Sequence, residues 1–106
     1  GLGLRFLRHL ERTKILVFMI EATDEEPLAT FDMLKTELYE HMSAFKKRPQ
    51  MILFTKSDLV EEVPQFEMED IEVHAISAVT GDGLKEFVDK IVRVLENRKE
   101  NTNKWD

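Results

Sequence analysis

The 106-residue chain contains no cysteine. Neither a disulfide framework nor a thiolate metal site can be built from it, which suits a reducing compartment. No apolar run approaches the roughly 20 residues that span a bilayer, and no stretch resembles a signal peptide. Glycine is scarce too: its four positions are Gly1, Gly3, Gly81 and Gly83. They nowhere form the glycine-rich loop whose backbone cradles phosphates, so that mode of phosphate binding is excluded for this chain. Positive charge is in deficit, with 15 Lys and Arg against 21 Asp and Glu for a net charge of −6. That balance argues against nonspecific nucleic-acid binding, which needs a basic face, and no nucleic-acid patch is seen.

What is present reads as one small domain. The length leaves room for a single modest core. The chain begins Gly1-Leu2-Gly3-Leu4, already inside an amphipathic pattern, and reads as a fragment of something longer. Leu4, Leu7 and Leu10, with Phe6, fit a short helix that carries Arg5, Arg8 and Arg12 on its wetter side. The six apolar residues from Ile15 to Ile20 suit a strand covered on both faces, as in a parallel sheet. After Thr23-Asp24-Glu25-Glu26-Pro27, where proline suits a first helical turn, Leu28, Phe31, Leu34, Leu38 and Met42 recur at helical spacing. Pro49 opens a second buried run, Met51 to Phe54. In Ile71 to Ile76, Glu72 and His74 interrupt the apolar residues, which suggests an edge strand with one wet face. Leu84, Phe87, Val88, Ile91, Val92 and Leu95 then mark one stripe of a long helix.

Strands separated by helical crossovers join in parallel and with right-handed connections. The expected fold class is therefore α/β, a three-layer parallel sheet with right-handed βαβ crossovers. One domain covers residues 1–96. A polar tail, 97–106, follows and is expected to fray.

In open α/β sheets ligands bind beyond the carboxyl ends of the strands. Thr55-Lys56-Ser57-Asp58 follows the second strand and Ser77-Ala78-Val79-Thr80-Gly81 follows the third, so neighbouring strands would bring both loops to one rim. An ionised carboxylate offers two acceptor oxygens and no donor. Asp58 can therefore satisfy the adjacent ring N–H and exocyclic amine of guanine, whereas adenine would face it with a lone pair. Lys56 can lay its aliphatic stem along the base while its ammonium stays wet. The backbone N–H of Ala78 can reach the guanine carbonyl oxygen, and a small residue suits that close approach.

These two segments resemble family motifs. Thr55-Lys56-Ser57-Asp58 looks like the base-specificity motif Asn/Thr-Lys-x-Asp of translation-factor-related GTPases, and Ser77-Ala78 looks like their last nucleotide-contacting motif. The opening, Gly3-Leu4-Arg5-Phe6-Leu7-Arg8-His9-Leu10-Glu11-Arg12-Thr13, resembles the stretch after the second switch in the Obg family of ribosome-associated GTPases. The similarity runs from Gly1 to about Leu95. It implies the C-terminal half of an Obg-type G domain, a partial P-loop GTPase fold. It also implies a cytoplasmic parent that binds GTP or GDP with magnesium, hydrolyses GTP to GDP and phosphate, and acts in assembly of the large ribosomal subunit. Thr55, Lys56, Asp58, Ser77 and Ala78 are the nucleotide-binding residues it implies. No catalytic or metal-binding residue is expected in the chain itself. The phosphate loop Gly-x-x-x-x-Gly-Lys-Ser/Thr, the switch threonine, the Asp-x-x-Gly and the family's glycine-rich N-terminal domain are absent from the sequence. This chain alone is therefore expected to bind nucleotide weakly and not to hydrolyse it. Thr55 also stands where the family usually has asparagine, and Glu21 where a strand-ending aspartate is common; Glu21 is assigned no role.

Plainer readings compete. The Thr-Lys-Ser-Asp turn can simply cap a helix through Ser57 or Asp58, and Thr80 and Asp82 are read as caps of the last helix, with Gly81 and Gly83 shaping the turn. His9, His41 and His74 share no metal-ligand spacing, and Asp24-Glu25-Glu26 reads as a solvated acidic helix start. A GTPase of another branch and a non-enzymatic α/β interaction module remain the alternatives. In the family sheet the strand matching residues 15–20 is interior, so an unpartnered edge is expected here, with self-association through it. Light scattering at high concentration should then report a mass above the monomer, and a strict monomer would count against pairing.

Overall fold

A computed structural model describes Arg5 and residues 15–41, 43–65, 68 and 71–100. The two apolar runs and the alternating segment form three strands: β1 (Leu16–Glu21), β2 (Gln50–Thr55) and β3 (Ile71–Ala75). They pair in parallel in the order β1-β2-β3, with Phe18 opposite Ile52 and Ile52 opposite Val73. Two helices complete the unit, α1 (Pro27–His41) and α2 (Leu84–Glu100), with 3-10 turns at Ser43–Lys47 and Ser57–Leu59. The parallel α/β fold read from the sequence is borne out. Apart from Arg5, the helix expected over the opening segment lies outside the described residues.

The core sits on one face of the sheet. Leu16, Phe18 and Ile20 of β1 and Ile52 and Phe54 of β2 are buried against Phe31 and Leu38 of α1. The Phe18 and Phe31 rings meet edge to face at 5.1 Å, the preferred arrangement for two quadrupoles. Pro27 opens α1 as expected. Just ahead of it the Asp24 carboxylate accepts the Glu26 N–H at 2.8 Å and the Thr30 hydroxyl at 2.6 Å. The acidic stretch thus organises a helix start.

The other face is covered unevenly. Met51 and Leu53 of β2 are buried there. Helix α2 is tied to that face at its β3 end, where the Phe87 ring meets His74 edge-on at 5.8 Å and Lys90 pairs with Glu72 at 2.8 Å. β1 departs from the expectation of cover on both sides. Leu16, Phe18 and Ile20 are buried, but Met19 remains 61% exposed. The reason is position: among the described residues β1 is an outer strand, and only central β2 is buried across its width. β3, also outer, is partly wet as its alternation suggested. The helical stripes are likewise less covered than their spacing implies. Leu28 of α1 and Leu84, Val88, Val92 and Leu95 of α2 are exposed. Helix α2 continues to Glu100, past the point where the polar tail was expected to begin.

The turn between β3 and α2 needs both its glycines, for different reasons. Gly81 (φ 85°) and Gly83 (φ 76°) adopt the left-handed conformation. A Cβ on Gly81 would meet open space, whereas one on Gly83 would lie 2.1 Å from the Ala75 carbonyl oxygen. Gly81→Ala should therefore cost roughly 1–2 kcal/mol from conformation alone. Gly83→Ala should cost clearly more, because backbone must move as well. Urea unfolding of both variants checks the order, and equal midpoints would contradict it.

Candidate functional site

The parallel register brings the carboxyl ends of all three strands to one rim. Glu21 ends β1 opposite Thr55, which ends β2, and Ala75 ends β3 opposite Phe54. Strand-like pairing persists beyond the ends. Ala22 N–H reaches the Thr55 carbonyl at 2.8 Å, Ile76 N–H the Phe54 carbonyl at 2.8 Å, and Ser57 N–H the Ile76 carbonyl at 3.1 Å. The loops after β2 and β3 are thereby fastened side by side, as their positions in the sequence predicted.

Ser77 is the centre of this junction and is fully buried. Its hydroxyl donates to Asp58 Oδ1 at 2.7 Å and accepts the Thr80 N–H at 3.1 Å. Its own backbone donates to the Asp82 carbonyl at 3.0 Å and accepts from Gly81 N–H at 2.8 Å. Asp58 therefore crosses to the other loop. The 3-10 turn that contains it has Lys56 at its cap position and no side-chain capping bond. The plain capping interpretation of Ser57 and Asp58 is not what the structure contains. Thr80 accepts from Asp82 N–H at 3.2 Å inside the turn, two residues before α2. Ala78 lies on the exposed outer part of the same loop.

Lys56 is in the left-handed region (φ 58°, ψ 39°), the only non-glycine so placed among the described residues. Its ammonium lies 2.6 Å from Glu21 Oε1. That hydrogen bond, with the attraction of opposite charge, holds the Glu21 carboxyl below its ordinary titration range and Lys56 above its own. The contribution of Glu21 is complete above the ordinary carboxylate range and is lost as pH falls through its lowered value. Both groups are more than half exposed, so this contribution is small. Glu21 is the residue that sequence reasoning missed. The signal was available in the topology, since parallel neighbours end level and place Glu21 beside Thr55-Lys56.

Thr55, Lys56, Asp58, Ser77 and Ala78 are thus gathered on one rim. Of the three histidines, His41 is exposed at the end of α1 and His74 packs on Phe87, while His9 lies outside the described residues. Ser77→Ala would leave the Thr80 N–H without its acceptor and release Asp58. A loss of about 0.5–1.5 kcal/mol is expected, the usual net contribution of a hydrogen bond, because Asp58 and Thr80 are themselves exposed. Denaturant unfolding measures it, and an unchanged midpoint would show that the junction is dispensable.

No family model and no solved structure matches the chain. Curated relatives do. The GTPase Obg of Chloroherpeton thalassium is 40% identical over 99 residues, covering 91% of this chain and 30% of the relative. That of Microcystis aeruginosa is 38% identical over 103 residues, with the same coverage. The GTPase Obg of Sorangium cellulosum is 34% identical over 110 residues, covering 94% of this chain and 32% of the relative. The chain thus spans about three-tenths of the length of the relatives it matches. The resemblance read from the opening segment and the two loops is borne out: in sequence, the chain matches a portion of the Obg GTPases.

Proposed function

We propose that this chain is the guanine-recognition portion of an Obg-like GTP-binding protein. The observation that carries the reading is the Ser77–Asp58 bond. A buried hydroxyl in one loop fixes a carboxylate in the other, at the strand ends where open α/β sheets bind ligands. Held at Oδ1, Asp58 keeps acceptor capacity for the adjacent donors of guanine. Ala78 supports the same reading. Ser77, Thr80, Gly81 and Asp82 direct their N–H groups within the turn, and the Ala78 N–H is not among those it consumes. Lys56 contributes the apolar length of its stem to a base face.

Hydrolysis of GTP to GDP and phosphate, and a role in large-subunit assembly, are assigned to the longer protein. Magnesium would serve there to neutralise phosphate charge. No residue of this chain is given a catalytic or metal-binding role. Without phosphate contacts the base alone holds the ligand, so affinity for the chain is weak.

Titration of the 106-residue chain with GDP and with ADP, followed by NMR chemical shifts, suits weak binding. GDP should be preferred, and Asp58→Asn should erase that preference. The expected change is about 10- to 100-fold, the equivalent of a hydrogen bond to a charged group. Equal binding of GDP and ADP by the unsubstituted chain would sink the guanine reading.

A further inference from the structure

Lys56 stands two positions from Asp58, on a flexible four-carbon stem with three donors. An ammonium so near a carboxylate is a natural partner for it. In this chain the pairing goes elsewhere. The Asp58 carboxylate is bonded to Ser77, and Lys56 reaches across the rim to Glu21 at 2.6 Å. The other acid near the end of β1, Asp24, is committed to Glu26 and Thr30 at the start of α1. Glu21 is therefore the group that draws Lys56 toward β1, and the left-handed backbone at Lys56 accompanies that direction.

We propose that Glu21 is a positioning residue for base recognition: by holding the Lys56 ammonium at the β1 end of the rim, it keeps the Asp58 carboxylate open to the base. The inference rests on Asp58 being the base-reading group. Its physical content is competition. An ammonium paired with Asp58 would occupy the acceptors that read the guanine donors, and the lysine stem would no longer lie along the base. Glu21 touches Lys56 and not the ligand, so its influence passes through the placement of one charge. The strand-end aspartate common in the family is one methylene shorter. Here the longer Glu21 spans the gap from β1 to Lys56 with a direct bond.

The test compares the preference of the 106-residue chain for GDP over ADP across four variants. Glu21→Gln keeps a hydrogen-bond acceptor but removes the charge, which releases Lys56 to turn toward Asp58. The preference for GDP should fall several-fold, with unfolding midpoints unchanged because both side chains are exposed. Glu21→Asp, which restores the charge one methylene further from Lys56, should recover part of the loss. Lys56→Met keeps an apolar stem without an ammonium, so adding Glu21→Gln to it should have no further effect; such non-additivity is the signature of a coupled pair. An unchanged preference in Glu21→Gln would overturn the proposal while leaving Asp58 as the reader of the base. So would an equal loss from Glu21→Gln in the Lys56→Met background, which would mark a merely structural role. Absence of any GDP preference in the unsubstituted chain would remove both ideas together.

Discussion

The parallel pairing of β2 with a neighbour on each side is the constraint from which the rest follows. Met51, Ile52, Leu53 and Phe54 are all buried, so the polar backbone beneath them has no access to water and must be satisfied by strands. That requirement sets β1 and β3 in register against β2, and register brings their carboxyl ends level. The rim is then a consequence of the core. Glu21, Thr55 and Ala75 come together because the residues before them are apolar, and the polar loops that follow inherit that placement.

Much of this was legible in the residues. Uninterrupted apolar runs separated by helical spacing specify parallel strands with crossovers, and two polar segments after adjacent strands specify a shared edge. What escaped the sequence depends on which element is outermost. The six consecutive apolar residues Ile15 to Ile20, five of them in β1, satisfy the pattern of a strand buried on both faces. Met19 is nevertheless exposed, because nothing among the described residues covers that side of an outer strand. Val88 and Val92 of α2 show the same gap, since a helical stripe marks a face suited to burial but not what buries it. Glu21 escaped for another reason. Its partner Lys56 is 35 positions away, a separation that no local spacing rule bridges. Only the alignment of strand ends makes them neighbours.

On the proposed reading, the chain separates two tasks that nucleotide-binding proteins usually combine. Recognition of a base relies on a few directed hydrogen bonds, each worth little net in water but costly to leave unmade. Retention of a nucleotide relies on charge-assisted contacts to phosphates, made by a glycine-rich loop that this sequence does not contain. Matched portions covering three-tenths of the relatives' length fit that division. Discrimination and affinity are then carried by different parts of the polypeptide. A weak ligand can still be a selective one, because selectivity depends on the difference between two bases and not on the total binding energy.

The direction of hydrogen bonding around Ser77 gives the proposed selectivity its sign. The Thr80 peptide nitrogen can only donate, so the Ser77 oxygen accepts from it and the hydroxyl proton is left to point at Asp58. The polarity thus runs one way, from peptide to hydroxyl to carboxylate, and ends in oxygens that can meet donors but offer none. On the opposite side Glu21 holds the Lys56 ammonium. Under the proposed function, a buried serine and an exposed glutamate would together set what Asp58 can recognise. A base with two adjacent donors would fit, and a base with an acceptor at the same ring position would not.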